Sequence, residues 1–300
     1  MNEPDLQYFN NNRTVLILNP KAGKENLNFI SKNLHKYRDH FDYATFISIE
    51  KCREFIRNNL SKYDIFIAVG GDGTASSMAA ELNGSDKILG VFPIGSGNGF
   101  AREMGFSHSF KMLIKDVEKK DTFKVDILYI NDTPCINIAG AGVDSYVAHE
   151  FHNLIRRGFW SYVYTALKVV WSIKPFRFVI RIDDRVVEEN AYMVTLANTR
   201  QFGNNALIAP MARPDDGKFN IVIVRPFHKI FAPLFAVRLL TGSLRESRYV
   251  TFLESEKPAT FISRESRFHI DGEPILIEGK ANIKIKKNSL NILRSSKNRW

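Results

Sequence analysis

The residues best suited to chemistry are Gly70-Gly71-Asp72-Gly73-Thr74, placed where an apolar run hands over to a stretch of helical spacing. Three glycines let the backbone turn tightly and come close to a ligand, and the free N–H groups at a helix start attract phosphate. Asp72 then suits a magnesium ion bound to those phosphates, since Mg2+ prefers carboxylate oxygen together with substrate phosphate oxygen. The competing reading is an ordinary strand-to-helix turn with a solvated Asp, because short motifs also match by chance. Two further turns shift that balance. Asn19-Pro20-Lys21-Ala22-Gly23-Lys24 follows a first apolar run and Pro93-Ile94-Gly95-Ser96-Gly97-Asn98 follows a fourth. Three turns thus emerge at the carboxyl ends of strands, the edge at which open α/β sheets bind ligands.

The elements that must position these turns alternate. Strands are expected over 15–18, 43–49, 64–69 and 88–93, with helices over about 24–37, 52–60, 74–82 and 100–104. Such alternation implies a parallel sheet with helices on both faces. After about residue 122 the pattern becomes mainly β, with strands expected over 124–130, 176–183, 191–198, 219–224 and 259–262. Two helical stretches, 147–173 and 229–240, interrupt it. Residues 281–293 alternate Ile and Lys and then Leu and Ile, as a half-buried strand or pair of strands would. The expected division is 1–122 as an α/β domain and 123–300 as a β-rich one, with the last strand or strands able to pack back on the first domain.

The bulk composition sets outer bounds. Three hundred residues at 44% apolar content can bury a sizeable core. Cys52 and Cys135 stand apart with no C-x-x-C pair, which indicates neither a disulfide framework nor a zinc site, and both read as small buried hydrophobes. The polar, asparagine-rich start lacks the plan of a secretory signal. The most apolar later stretch, 158–176, is broken by Lys168 and Lys174 and is too short to span a bilayer. A cytoplasmic protein is expected, held peripherally at the inner membrane surface. The net charge of +10 favours polyanions. No zinc-finger spacing, basic zipper or RNP-like signature accompanies it, so an anionic membrane ranks above nucleic acid, and no nucleic-acid partner is expected. Arg156-Arg157-Gly158-Phe159-Trp160 with Tyr162, Tyr164 and Trp171 mixes cations and interfacial aromatics, although a core helix with a charged edge fits as well. His149 and His152 lack the H-E-x-x-H order and read as surface or packing residues.

Taken together, the three turns resemble the diacylglycerol kinase catalytic domain family, which includes bacterial lipid kinases and sphingosine kinases. The resemblance runs on through Gly140-Ala141-Gly142-Val143-Asp144, Ala209-Pro210-Met211-Ala212 with Asp215-Asp216-Gly217-Lys218-Phe219, and Asp271-Gly272-Glu273. It implies an N-terminal α/β domain of the kind found in NAD kinases and phosphofructokinases, joined to a β-rich, sandwich-like domain that binds lipid. ATP and Mg2+ would enter between them. By the family pattern Asn19, Pro20, Lys21, Gly23, Gly70, Gly71, Gly73, Thr74, Gly95, Ser96, Gly97 and Asn98 would hold the nucleotide, with Asp72 at the metal-phosphate centre. Asp216 would bind magnesium, against the simpler reading of Pro214-Asp215-Asp216-Gly217 as a type I turn. Glu273 would be the base, since a lipid hydroxyl attacking a γ-phosphate must lose its proton.

One position departs from the pattern. Gly99 stands where many bacterial diacylglycerol kinases carry Asp, which puts in doubt an acidic network to the metal and makes a sphingoid base an alternative substrate to diacylglycerol. Gly99 also keeps open a non-catalytic sensor of the same fold. An NAD kinase would share the Gly70–Gly73 turn but not Asn19 to Gly23 or the Asp271-Gly272-Glu273 ending. The lipid is not legible, and neither is the oligomeric state, for which a homodimer stays open.

Overall fold

The computed structural model describes residues 13–19, 27–37, 39–46, 48–95, 97–152 and 159–300. The chain falls into two compact units, Met1–Val125 with Asn288–Trp300, and Asp126–Lys287.

In the first unit the elements are β1 Thr14–Leu18, α1 Leu27–Lys36, β2 Asp42–Thr45, α2 Ile49–Asn58, β3 Ile65–Gly70, α3 Asp72–Leu82, β4 Ile88–Pro93, α4 Gly99–Glu103 and α5 Phe110–Lys119. The sheet is parallel in the order β2-β1-β3-β4, and Asn291 and Ile292 pair parallel with Ile88 and Leu89 beyond β4. Every residue of β1 and β3 is buried. A strand covered on both faces needs apolar side chains at successive positions, which is why these segments read as unbroken runs. The helices follow the opposite logic. Ser48 caps α2 by accepting from the Lys51 amide, and one face buries Cys52, Phe55 and Ile56. Helix α3 buries Ala75, Met78, Ala79 and Leu82, so its small residues face the sheet. Helix α5 has no counterpart among the helices expected from sequence. Ser109 caps it, and Phe110 packs on Phe92 of β4 with ring centroids 4.3 Å apart.

In the second unit the elements are β5 Thr122–Ile130, which begins in the first, β6 Thr133–Cys135, β7 Ile138–Gly142, α6 Val143–His152, α7 Phe159–Ser172, β8 Phe176–Ile182, β9 Arg185–Ala191, β10 Met193–Ala197, β11 Phe219–Val224, α8 Ala232–Thr241, β12 Val250–Ser255, β13 Ala259–Ser263, β14 Arg267–Ile270, β15 Glu273–Leu276 and β16 Gly279–Leu293. A 3-10 turn, Lys229–Phe231, leads into α8. One antiparallel sheet runs β12-β11-β10-β7-β14-β15, and the other contains β16-β13-β8-β9. Alternate residues of both sheets form a single core that includes Leu128, Ala139, Phe178, Val194, Phe219, Phe261, Phe268 and Ile283. This is a sandwich, as the family resemblance implied.

The first of these sheets is buried on its other face as well. Val222, Val224 and Met193 pack there with Phe235 and Leu239 of α8 and with Phe227. Burial on both faces explains why Phe-Asn-Ile-Val-Ile-Val of β11 does not alternate. The expected single helical stretch over 147–173 is corrected to two helices, Val143–His152 and Phe159–Ser172, which pack together. The expected 43–49 strand ends at Thr45, and Ile49 already belongs to α2. Among the described residues no helix is long and apolar enough to cross a membrane.

At Gly142 the sandwich permits only glycine. Its φ is +103°, and a Cβ would lie 2.2 Å from the Tyr192 carbonyl and 2.9 Å from the Met193 Cα. Both obstacles are backbone, so no rotamer relieves them. Gly142→Ala should therefore lose at least about 2 kcal/mol, more than the gain from a stiffer unfolded chain. Urea unfolding checks this, and an unchanged midpoint would contradict the constraint.

Candidate active site

The candidate residues form two groups, one in each unit. In the first unit Gly71 is the N-cap of α3 in extended backbone, and its carbonyl accepts from the Thr74 and Ala75 amides. A Cβ on Gly70 would lie 2.4 Å from the Thr74 Oγ1. A Cβ on Gly95 would lie 2.8 Å from the Gly71 Cα and 2.8 Å from the Asn98 Oδ1. The second and third turns thus touch backbone to backbone. Asn19 at the end of β1 joins them, its Nδ2 donating to the Thr74 Oγ1 at 3.4 Å. Gly73 lies in the first turn of α3, and Gly97 sits beside Asp72, where a Cβ would be 3.5 Å from Oδ2. Pro20, Lys21 and Gly23 of the first turn and Ser96 of the third lie outside the described residues.

Asp72 holds two of these turns together. Its Oδ2 accepts from the Gly99 amide at 2.9 Å and its Oδ1 from the Phe100 amide at 3.0 Å. These are the first two N–H groups of α4, which have no partner within the helix. A carboxylate at a helix N-terminus is favoured by the hydrogen bonds and by the helix dipole. Asn98 completes the turn in the left-handed region at φ 51°, donating from Nδ2 to the Gly95 carbonyl at 2.6 Å. Its Oδ1 is buried and has no hydrogen-bond partner among the described residues. A bound donor such as a hydroxyl or amino group fits there.

In the second unit Asp271 and Gly272 form the turn between β14 and β15, with φ of 52° and 84°. Two successive left-handed residues make the tight hairpin turn for which Asp-Gly is a preferred pair. The buried Asp271 carboxylate accepts from the amides of Ile136 at 3.0 Å, Asn137 at 2.8 Å and Ile138 at 3.2 Å, and from the Cys135 thiol at 3.2 Å. Burial first, and then the Asp271 charge, push the Cys135 thiol well above its usual range. Glu273, two residues on, begins β15 with its side chain exposed. Of the two carboxylates in this turn, Asp271 is spent on the backbone and Glu273 reaches solvent.

A second link steadies the same turn. The Gly272 amide donates to the His269 Nδ1 at 3.4 Å, while Nε2 of that ring faces the Asp144 Oδ2 at 3.4 Å. That buried Nε2 makes no hydrogen bond among the described residues, so Asp144 meets the ring only as a near charge. Thr195 donates to the same Asp144 oxygen at 2.8 Å, and the Ser145 amide donates to the other. Sequence reasoning did not assign a role to Asp144 or His269, and Asp144 was visible only as part of the Gly140–Asp144 motif.

Asp216 lies in the turn before β11. Its Oδ1 accepts from the Lys218 amide, and its carboxyl is raised by partial desolvation and by the charges of Asp126 and Asp215, against the pull of that amide and of Lys218. The fully buried Asp126 on β5 closes the turn by accepting from the Gly217 amide at 2.6 Å. A lone Asp within Lys-Val-Asp-Ile-Leu was the available signal for it, and it went unread. Asp215 pairs with Arg213 at 3.1 Å. Among the described residues no three His, Cys, Asp or Glu side chains converge as a metal site. A magnesium ion fits here only with water or phosphate oxygens completing its shell.

Removing the Asp72 carboxylate should loosen both turns. Asp72→Ala leaves two helix N–H groups without their acceptor, at a cost of about 1–3 kcal/mol, while Asp72→Asn keeps one acceptor and recovers part of it. Thermal melts of the two variants check the order, and equal stability of Asp72→Ala and the parent would remove the anchoring role.

The profile of the diacylglycerol kinase catalytic domain matches residues 13–130, and that of the YegS C-terminal NAD kinase beta sandwich-like domain matches residues 137–294. The chain is 23% identical over 274 residues to a diacylglycerol kinase of Bacillus subtilis, covering 87% of this chain and 89% of that one. It is 26% identical over 273 residues to a diacylglycerol kinase of Staphylococcus epidermidis, covering 87% and 85%. A crystal structure of a diacylglycerol kinase from Bacillus anthracis superposes with a TM-score of 0.73 at 19% identity, covering 95% of this chain and 97% of that one, a likeness of fold. With one profile over each part of the sequence and a sandwich of the matching kind, the chain belongs to the diacylglycerol kinase catalytic domain family with a YegS-type C-terminal domain.

Proposed function

We propose that this protein is an ATP-dependent lipid kinase that transfers the γ-phosphoryl group to a lipid hydroxyl. The observation that carries the reading is the glycine cradle of a chain in this family. Gly71 and Gly95 meet too closely for a side chain on Gly95, at the N-terminus of α3. Such a surface binds phosphate without selecting a base. Asn98, with an unpartnered buried Oδ1, suits a donor of the nucleotide, and Asn19 and Thr74 border the same turn. Bound ATP supplies the activated phosphoryl group, with Mg2+ offsetting its charge.

Glu273 has the exposure for base catalysis. As the lipid oxygen forms its bond to phosphorus and the bond to the ADP oxygen breaks, the hydroxyl proton passes to the Glu273 carboxylate. Asp271 holds the turn, and His269 accepts from the Gly272 amide beside it. Asp72 serves the nucleotide side by fixing the two turns, and the outer lone pairs of its carboxylate suit a magnesium-bound water. Asp216, whose carboxyl is raised beside Asp126, is the second place where a divalent cation would relieve repulsion. The lipid acceptor is a diacylglycerol or a sphingoid base, met at the cytoplasmic face of a membrane.

Incubation with labelled ATP, Mg2+ and an extracted lipid mixture should give a labelled phospholipid. The absence of any labelled lipid, with label instead on a soluble dinucleotide, would overturn the reading. Glu273→Gln should lower kcat by about 10² to 10⁴-fold with little change in ATP affinity. Turnover within a few-fold of the parent would make Glu273 a turn residue only. Mg2+ should raise the melting temperature of the parent more than that of Asp216→Asn, and an equal rise in both would place the ion elsewhere.

A further inference from the structure

Helix α8 is packed on one side only. Phe235 and Leu239 face the sandwich, whereas Leu234, Val237 and Leu240 point outward with 50%, 55% and 41% of their surfaces exposed. Ile230 and Phe231 in the preceding 3-10 turn extend this row at 64% and 52%. Five large apolar side chains along eleven residues exceed the scattered exposure that a soluble surface tolerates without a partner.

A second row lies alongside. Lys229 donates from Nζ to the carbonyls of Trp171 at 2.7 Å and Ile173 at 2.8 Å, which fixes the start of the α8 segment to the end of α7. On α7 the residues Tyr164, Lys168 and Trp171 share one face by their spacing of four and three, and all three are exposed, Tyr164 at 71% and Trp171 at 61%. Tyrosine, tryptophan and lysine combine an apolar body with a polar tip, the composition that settles at the level of lipid headgroups.

Charge identifies the occupant. No Asp or Glu occurs between Glu150 and Asp183, nor between Asp216 and Glu246, so both rows come from segments that carry cations alone. Lys168, Lys174, Arg238 and Arg245 are exposed around the apolar residues. A protein partner is normally met by mixed charge, and a second copy would set these cations against each other. An anionic bilayer satisfies both features at once, taking the apolar row into the acyl boundary and the cations among the headgroups.

We infer that the outer face of α8, together with Tyr164 and Trp171 of α7, docks the protein in the plane of an anionic lipid bilayer. The inference deepens the lipid-kinase reading by naming the surface that meets the membrane. It keeps Tyr164 and Trp171 of the segment that the sequence singled out and adds α8, while Arg156, Arg157 and Gly158 of that segment lie outside the described residues.

The full chain is tested by co-sedimentation with vesicles of phosphatidylcholine and phosphatidylglycerol, for the parent and for the double variant Leu234→Glu with Val237→Glu. The expected result is a drop in vesicle affinity of about tenfold or more, with turnover of a water-dispersed short-chain diacylglycerol unchanged. Bromine-labelled acyl chains should quench the parent's tryptophan fluorescence, and Trp171→Phe should remove that quenching, a readout that holds even where the double variant fails to fold. Unchanged vesicle binding by a folded double variant, or no quenching of Trp171, overturns the inference. So does a parent that self-associates without binding vesicles while the double variant is monomeric, which would make the face a contact between copies. Lost vesicle binding in the variant alongside a parent that phosphorylates no lipid supports docking while sinking the kinase reading.

Discussion

The approach of Gly71 and Gly95 is the constraint on which the first unit's site depends. Two backbones in contact leave no room for side chains between them, and nothing in a glycine holds them there. Asp72 supplies the hold by capping α4 with both carboxylate oxygens. The same residue therefore belongs to one turn by sequence and to the other by bonding. A shift of either turn would release helix N–H groups, so the cradle keeps its shape without a ligand to organise it.

The second unit uses the same device at a larger separation. Asp271 gathers the amides of Ile136, Asn137 and Ile138, the last of which begins β7. A buried carboxylate is tolerated only when its lone pairs are met, and a run of successive N–H groups meets them. In both units a carboxylate fastens a turn, and in the second the exposed Glu273 lies two residues beyond it.

This pattern explains what was legible. Strands β1, β3 and β4 announce themselves because doubly covered parallel strands are continuous apolar runs, and β11 does so because α8 covers its second face. Strand β7, Ile-Ala-Gly-Ala-Gly, has no β-branched run to reveal it beyond Ile138, since its small residues are chosen for close packing near Tyr192 and Asp144. Helix α5 was missed in the stretch after the third turn, where Ser109 and Phe110 give a start signal that only the packing on Phe92 makes decisive. The Asp-Gly turn before Glu273 was readable from two residues. That Asp271 is buried and Glu273 is not depends on a nest 134 residues away in sequence, and no local pattern encodes it. The partners of Asp126, Asp144 and His269 were hidden for the same reason.

Strand β16 runs from Gly279 to Leu293, and only its last part, from Asn288, belongs to the first unit. During synthesis the residues up to Val125 emerge long before that part does. Until then β4 is an open sheet edge, with Ile88 and Leu89 unpaired on the side that Asn291 and Ile292 later occupy. At about 5–20 residues per second the gap lasts on the order of ten seconds or more. Exposed strand edges invite pairing with other chains. The first unit thus reaches the ribosome exit first and is completed last, its β4 edge exposed throughout the interval.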